Sequence, residues 1–241
     1  DSMKNDLFNM LTHDIKVPLT SILGFAQLLT DEKGEANKNT AQFSEIIISN
    51  SRKILAMLDN YLTNARVEQG HLDTVQVTIN PREIVEEELR LNSLEFKKKG
   101  ITPRLHAQEL PPVRADEHLI ARAISNLISN AAKYTPEGGE VDLSLCTTES
   151  EFLFHIENSG PTLSSDEVAV IFDRYQRGSS STGAEGSGLG LHVVKCVAEA
   201  HNGRVECRSE AERTGFSLFL PLRSQEESRG SSSSSHWSRF D

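Results

Sequence analysis

The spacing of apolar residues changes once along this chain, near residue 70. Before that point, apolar residues recur three and four positions apart in two stretches, which is typical of amphipathic helices. They lie at Phe8, Leu11, Ile15, Ile22, Phe25 and Leu29, then at Phe43, Ile47, Ile54, Met57 and Tyr61. The polar turn TDEKGEANKN separates the stretches, so we expect an antiparallel helical hairpin over residues 1–69.

A single hairpin of this kind has one apolar seam and few ways to cover it. Two copies that pack as a four-helix bundle bury both seams, so burial alone predicts a homodimer. The alternative is that the hairpin packs on the rest of its own chain.

After a linker at residues 70–75, strand and helix patterns alternate. LDTVQVTI and ITPRLHA are typical of strands, and the segment between them opens with Pro81 and closes with Gly100, as a helix does. A helix over about 116–134 is followed by the strands EVDLSLC and EFLFHIEN, helices over 165–172 and 189–200, and the strands GRVECRS and GFSLFLPL. This order predicts an α+β sandwich over 76–223. The Ser-rich residues 224–241 are expected to form a disordered tail.

Charge and cysteine content restrict the class of partner. The net charge is -10 and the longest basic run is KKK at 97–99, which argues against nucleic acid and against an anionic membrane surface. Cys146, Cys196 and Cys207 lack C-x-x-C spacing, so neither a disulfide framework nor a zinc site is expected. No apolar run reaches the roughly 18 residues of a membrane span. We therefore expect a cytoplasmic fragment, with membrane attachment only through a sensor region ahead of it.

His13 lies on the face of the first helix opposite the apolar seam, so core packing does not explain it. Asp14 can accept a hydrogen bond from one imidazole nitrogen and leave the other free as a nucleophile. Lys16 and Thr20 place a cation and a hydroxyl nearby, and Pro18 predicts a bend just past the histidine. The alternative is an ordinary exposed histidine.

A second polar cluster lies on the helix predicted over 116–134. Asn126, Asn130 and Lys133 are spaced four and three residues apart, so they share one helix face. Amide oxygens are suitable ligands for Mg²⁺, and a lysine beside them can neutralise phosphate oxygens. Two asparagines alone would be ordinary surface residues.

The loop GAEGSGLGLHVVK precedes the last predicted helix. Gly186, Gly188 and Gly190 allow close backbone approach, and the following helix directs its free N–H groups at an anion. No Gly-Lys-Ser/Thr follows and no βαβ unit surrounds the loop, so it is neither a Walker nor a Rossmann loop. By itself it would be only a flexible linker.

Taken together, these segments resemble two-component sensor histidine kinases. HDIKVPLTSILGFAQLL resembles their phosphoacceptor box. ISNLISNAAKYTPEGG, IFDRYQRG and GAEGSGLGLHVVK resemble the N box, F box and second glycine box of the Bergerat-type ATP-binding fold, which gyrase-type ATPases and Hsp90-type chaperones share. The motifs follow the family's order over about residues 5–222. The resemblance implies a helical dimerisation and phosphoacceptor domain followed by an ATP-binding domain.

The resemblance also implies roles for individual residues. His13 would accept the phosphoryl group, with Asp14 as the orienting base and Lys16 and Thr20 beside it. Asn130, assisted by Asn126, would bind Mg²⁺. The expected ATP contacts are Asn126, Asn130, Lys133, Tyr134, Asn158, Gly160, Arg177, Gly186, Gly188, Leu189 and Gly190. The phosphoryl group would then pass to an aspartate in the receiver domain of a response regulator.

Four positions depart from this family's pattern or choose between its branches. The first glycine box, Asp-x-Gly-x-Gly in the family, has Asn158 and Thr162 at its two ends, which predicts weaker ATP binding. Val17 replaces the Thr or Asn of relatives that dephosphorylate their partner, so little phosphatase activity is expected. Asn126 replaces the glutamate of hydrolytic relatives, which favours phosphotransfer over hydrolysis because an amide is not a general base.

Two other readings compete with an active histidine kinase. The altered adenine pocket favours a pseudokinase-like dimeric signalling scaffold with impaired ATP use. The shared ATP-binding fold also fits a hydrolytic ATPase or a Ser/Thr kinase, but the missing glutamate and the His13 box argue against these.

Overall fold

Helix α1 runs over Ser2–Asp31 and continues through Pro18. Residues 40, 42–51, 54–55 and 58 are also helical, and we call 42–51 helix α2. The Phe25 and Phe43 rings lie 5.4 Å apart, and Asn50 Nδ2 donates to Ser21 Oγ at 3.3 Å. The earlier residue of α1, Ser21, therefore contacts the later residue of α2, Asn50, so the two helices run in opposite directions. This confirms the predicted antiparallel hairpin, whereas the predicted bend after His13 stays a prediction.

The structure is a computed structural model that describes residues 2–31, 40, 42–51, 54–55, 58, 74–176 and 188–222, with side chains of α1 from residue 15 to residue 29. The contacts between residues divide the chain into two compact units, which we describe separately. One comprises Asp1–Leu72 and Ala169–Cys196, and the other comprises Asp73–Val168 and Val197–Asp241. The tail at 224–241 lies outside the described residues, and the predicted domain boundaries stay predictions.

The second unit is built on a five-stranded mixed sheet. Its strands are β2 (Arg104–Ala107), β4 (Val141–Thr147), β5 (Glu151–Ser159), β6 (Arg204–Glu210) and β7 (Arg213–Pro221). Their spatial order is β2-β4-β5-β7-β6, and only the β2–β4 pair is parallel. β1 (Val77–Ile79) and β3 (Val113–Ala115) form a separate antiparallel pair.

Within the described residues, five further helices accompany these strands along the chain. They are α3 (Pro81–Leu91), α4 (Ser93–Lys98), α5 (Glu117–Tyr134), α6 (Ser165–Val170) and α7 (Gly190–Ala200). α5 contacts β5 and α3. Alternate residues of the central strands are buried, including Leu143, Phe154 and Leu218, as is the apolar face of α5. The predicted sandwich of helices against a sheet is confirmed.

The buried Asp116 fixes the start of α5. Its side chain accepts hydrogen bonds from the N–H groups of Leu119 at 3.1 Å and Val75 at 2.9 Å. Its own N–H donates to Nε2 of His201, which is 4% exposed. The helix ends at Tyr134 because Pro136 cannot continue it. The prediction of a helix over about 116–134 is therefore confirmed.

The predicted secondary structure was wrong in several details. The strand pattern LDTVQVTI yields only Val77–Ile79 among the residues described there, since 74–76 are not paired. The single helix expected over 81–100 is two helices, because Asn92 ends α3 with its side chain and N–H both bonded to the Glu88 carbonyl. β3 was not predicted, because three residues after two prolines are too short to show alternation.

The two edges of the large sheet are β2 and β6. Along β6, Arg204, Glu206, Arg208 and Glu210 alternate with residues of the inner face. Arg204 Nε lies 3.1 Å from Glu206 Oε1 and its guanidinium lies over the Phe219 ring. This edge therefore carries charges of alternating sign. Among the described helices, none combines the length and apolar composition needed to cross a membrane.

Candidate active site

The His13 segment lies in the middle of α1. The side chains of His13 and Asp14 are outside the described residues. Lys16 is exposed, and the exposed Thr20 donates its hydroxyl to the Lys16 carbonyl at 2.8 Å. The Thr20 hydrogen is thus used within its own helix. Val17 is 48% exposed and presents an apolar surface one turn after the histidine.

The asparagine motif lies on the C-terminal half of α5. Asn126, Asn130 and Lys133 are half-buried, while the intervening Leu127 and Ile128 are in the core. Within the described residues, the Asn130 amide has no hydrogen bond. Its neutral oxygen is therefore available to a hard cation. Lys133 Nζ lies 4.8 Å from the centre of the Tyr134 ring, which is 38% exposed.

The donor set fits Mg²⁺ only if a ligand supplies further oxygens. No group of three or more His, Cys, Asp or Glu side chains that could hold a metal occurs in the part of the chain that the structure describes. Mg²⁺ is commonly held by one or two protein oxygens together with phosphate oxygens and water. The Asn130 oxygen is suited to that kind of coordination.

A half-buried carboxyl lies beside this motif. Glu88 of α3 packs near Ser125, the residue before Asn126. Burial raises the pKa of Glu88, and a hydrogen bond from Ser125 offsets part of that rise. α3 therefore supports the back of α5 through a polar contact as well as apolar ones.

Asn158 lies near the end of β5 and is 6% exposed. Its Nδ2 donates to the Ser159 carbonyl at 3.0 Å, and this partner fixes which end of the amide is the nitrogen. Among described residues its Oδ1 has no partner, so this oxygen can accept a hydrogen bond. A buried acceptor of this kind suits the amino group of adenine.

The segment after Asn158 forms hydrogen bonds with the β6–β7 turn and packs against the end of α5. Gly160 donates its N–H to the Glu212 carbonyl at 2.8 Å, and Thr162 Oγ1 accepts from Glu212 N–H at 3.0 Å. A Cβ on Gly160 would lie 3.3 Å from the Tyr134 carbonyl oxygen. The structure thus places Tyr134, Asn158 and Gly160 close together, and Thr162 has a structural hydrogen bond. That these residues bind ATP stays a prediction.

The glycine-rich segment is described from Gly188 onward, so Arg177 and Gly186 lie outside the described residues. Gly188 has φ +69° and its carbonyl accepts from Tyr175 N–H at 3.2 Å. Leu189 is 1% exposed, and α7 begins at Gly190. Because the first N–H groups of a helix have no partner within it, α7 opens with donors suited to an anion.

His192 and Arg174 were missed in the sequence. His192 Nδ1 bonds the Phe172 carbonyl at 3.1 Å, and Arg174 Nε donates to His192 Nε2 at 3.0 Å. Cys196 Sγ lies 3.4 Å from the same Nε2. The one signal available was a histidine in the first turn after the glycines of GAEGSGLGLHVVK.

Comparison with known families accounts for both parts of this arrangement. Residues 3–70 match the model of the His Kinase A (phospho-acceptor) domain. Residues 115–224 match the model of the histidine kinase-, DNA gyrase B- and HSP90-like ATPase family. The chain belongs to the two-component histidine kinases. The predicted family and fold are therefore confirmed.

Known sensor kinases are similar to this histidine kinase core along most of its length. The probable sensor kinase SilS of Salmonella typhimurium is 28% identical over 88% of the chain, and the sensor protein VanS of Enterococcus faecium is 27% identical over 92%. The chain spans 43% of SilS and 58% of VanS. The comparisons give no support to the scaffold alternative.

Solved structures show the same fold. Full-length ShkA in complex with AMPPNP matches with a TM-score of 0.65 at 24% identity, over 90% of this chain and 46% of ShkA. ThkA in complex with the response regulator TrrA matches with a TM-score of 0.57 at 18% identity, over 92% of this chain and 63% of the other. At these identities the likeness concerns the fold alone.

Proposed function

We propose that this chain phosphorylates its own His13 from ATP and passes the phosphoryl group to an aspartate of a response-regulator receiver domain. The observation that carries the proposal is the pairing, in one chain, of a phosphoacceptor helix with an ATPase-type domain. ThkA, which has a similar fold, is bound to a response regulator in its structure. That complex supports a receiver domain as the partner.

The reaction at His13 is an in-line displacement. An unprotonated ring nitrogen forms a bond to the γ-phosphorus, the bond from that phosphorus to the bridging oxygen breaks, and ADP leaves. Asp14 accepts a hydrogen bond from the N–H on the other side of the ring and stabilises the charge that develops there. Lys16 adds a cation one turn along α1. Catalysis is then chiefly a matter of positioning.

The nucleotide is expected to use groups from the motifs described above. Asn130, assisted by Asn126, would hold Mg²⁺, which neutralises phosphate charge when bound. Lys133 and Arg177 would contact phosphates, and the N–H groups at Gly188, Leu189 and Gly190 would donate to them. Gly186 belongs to the same segment. Asn158 Oδ1 would accept from the adenine amino group, between Tyr134 and Gly160. Asn126 provides no base for water, which favours transfer over hydrolysis.

Homodimerisation is supported by the apolar side chains that the hairpin leaves exposed. Those with 41 to 59% exposure are Val17, Leu19, Leu23, Leu28, Ile48, Leu55 and Leu58. Such a set on two adjacent helices is uncommon for a monomer in water. A second copy of the hairpin, completing a four-helix bundle, would cover it.

Labelling with γ-³²P-ATP and Mg²⁺ tests the proposed reaction. Wild type should acquire a label that is lost in acid and survives in base, and His13→Gln should acquire none. The matched control is His118→Gln, since His118 is exposed on α5 and should label as wild type does. A folded dimer that takes up no label would contradict the proposal.

The asparagine at position 158 is expected to weaken ATP binding relative to the family's aspartate. A carboxylate would strengthen the hydrogen bond to the adenine amino group. However, Asn158→Asp also loses the bond from Nδ2 to Ser159, so the free energy of unfolding should be measured alongside. We expect tighter ATP binding by Asn158→Asp in calorimetry, and an equal affinity would contradict the idea.

Val17 is expected to leave the chain with little phosphatase activity. It has no polar group to orient a water molecule, although its 48% exposure leaves room for one. Val17→Thr should therefore increase the rate of dephosphorylation of a phosphorylated receiver domain. Rapid dephosphorylation by wild type in the absence of nucleotide would show that the reasoning is wrong.

A further inference from the structure

His192 joins the start of α7 to the segment 172–176. It lies in the first turn of α7 and is half-buried. Its ring bonds the Phe172 carbonyl on one side and the Arg174 guanidinium on the other. Neither His192 nor Arg174 was among the predicted site residues.

The Phe172 carbonyl and the Arg174 guanidinium determine the protonation state and the tautomer of the His192 ring. A carbonyl oxygen only accepts, so Nδ1 must carry the proton that it donates to Phe172. An arginine Nε–H only donates, so Nε2 must be unprotonated and accept from Arg174. His192 is therefore neutral and in one tautomer. A side chain here has to donate and accept at once.

Other contacts join the same two segments. Asp173 Oδ1 lies 3.7 Å from Lys195 Nζ, and Tyr175 N–H donates to the Gly188 carbonyl. The Asp173–Lys195 pair is exposed and contributes little. The two hydrogen bonds of His192 are less exposed, and one of them involves a charged group, so they contribute more.

We propose that His192 is a positioning residue for ATP binding, which holds residues 172–176 against the glycine-rich start of α7. Because Tyr175 bonds Gly188, fixing this segment also fixes the backbone at Gly188, Leu189 and Gly190. These N–H groups are the ones expected to bind phosphate. The inference rests on the proposed function only for the identity of the ligand.

Binding of Mg²⁺–ATP should be measured by calorimetry in the His13→Gln background, where no phosphoryl transfer occurs. His192→Leu removes the bonds to the Phe172 carbonyl and to Arg174 and should weaken binding at least about tenfold. His192→Gln keeps one donor and one acceptor and should bind within about threefold of the parent. This rescue separates positioning from mere packing, because leucine and glutamine fill a similar volume.

The control is His118→Leu, the same substitution at an exposed helical histidine, and it should leave binding unchanged. Equal ATP affinities for His192→Leu and the parent would overturn the inference, and so would equal losses for His192→Leu and His192→Gln. Absent labelling of His13 in wild type would overturn the proposed reaction but not this result. No ATP binding by the parent would overturn both.

Discussion

Replacing Gly188 by alanine should weaken ATP binding through a contact that the structure defines. An added Cβ would lie 2.8 Å from the Tyr175 carbonyl carbon and 2.9 Å from its Cα. Ordinary contacts begin near 3.4 Å, so the backbone of Tyr175 must move by about 0.6 Å. Such a movement disrupts the hydrogen bond from Tyr175 N–H to the Gly188 carbonyl, which contributes about 0.5–1.5 kcal/mol.

Gly138 provides a matched control. Both glycines have φ +69°, so alanine costs about 1–2 kcal/mol of backbone strain at either position. However, a Cβ on Gly138 meets nothing within 4 Å. Gly138→Ala should therefore lower stability and leave ATP binding unchanged, whereas Gly188→Ala should also weaken binding about tenfold or more.

Calorimetry with Mg²⁺–ATP and urea unfolding measure the two effects separately. If Gly188→Ala and Gly138→Ala bind ATP equally well, the backbone around Gly188 does not determine affinity. The expectation that the backbone N–H groups at Gly188, Leu189 and Gly190 bind phosphate would then be wrong. The comparison holds whatever the absolute affinity, because both variants share the same strain.

Three further outcomes concern stability and reactivity. Asp116→Ala removes a buried helix cap and the acceptor for the Val75 N–H, so the free energy of unfolding in urea should fall by about 2–3 kcal/mol. The control Asn80→Ala removes an exposed cap and should lower it by about 0.5–1 kcal/mol. Equal losses for the two variants would contradict this expectation. Burial lowers the pKa of His155, so the folded state binds a proton less readily than the unfolded state. Stability should therefore fall as pH drops through about 6.5, and unfolding curves at pH 7.5 and 5.5 should differ less for His155→Gln than for wild type; identical differences would refute this. Burial raises the pKa of Cys207 to about 11, so iodoacetamide at pH 8 should label it slowly in the folded protein and faster in urea, and similar rates would argue against burial.

Helices with strong end signals could be predicted from the sequence. α5 begins after Asp116 and ends before Pro136, so its bounds follow from capping chemistry. Its buried face follows from the 3.6-residue period of its apolar residues. The single helix expected over 81–100 is interrupted at Asn92, whose side chain donates to the Glu88 carbonyl one turn earlier. Such a bond can end a helix in the middle of a favourable pattern. β3 was missed because a three-residue strand has no measurable period.

The site divides in a similar way. Motif spacing predicts that Asn130 and Asn158 are binding groups, and the structure shows an acceptor oxygen on each that lacks a protein partner among the described residues. The sequence could not show that Asn158 uses its nitrogen on Ser159, or that Thr162 bonds Glu212. The His192–Arg174 bond joins residues 18 positions apart with no shared pattern, so only the folded chain reveals it.

The alternating charges along β6 have a consequence for the behaviour of the protein at high concentration. An unprotected edge strand offers a row of backbone groups to which a strand from another molecule can add. Any strand that paired with β6 would have to fit beside arginine and glutamate side chains, some already engaged with each other, and strip water from them. Growth of the sheet from one molecule to the next is therefore disfavoured at this edge, and the domain can be concentrated without assembling through it.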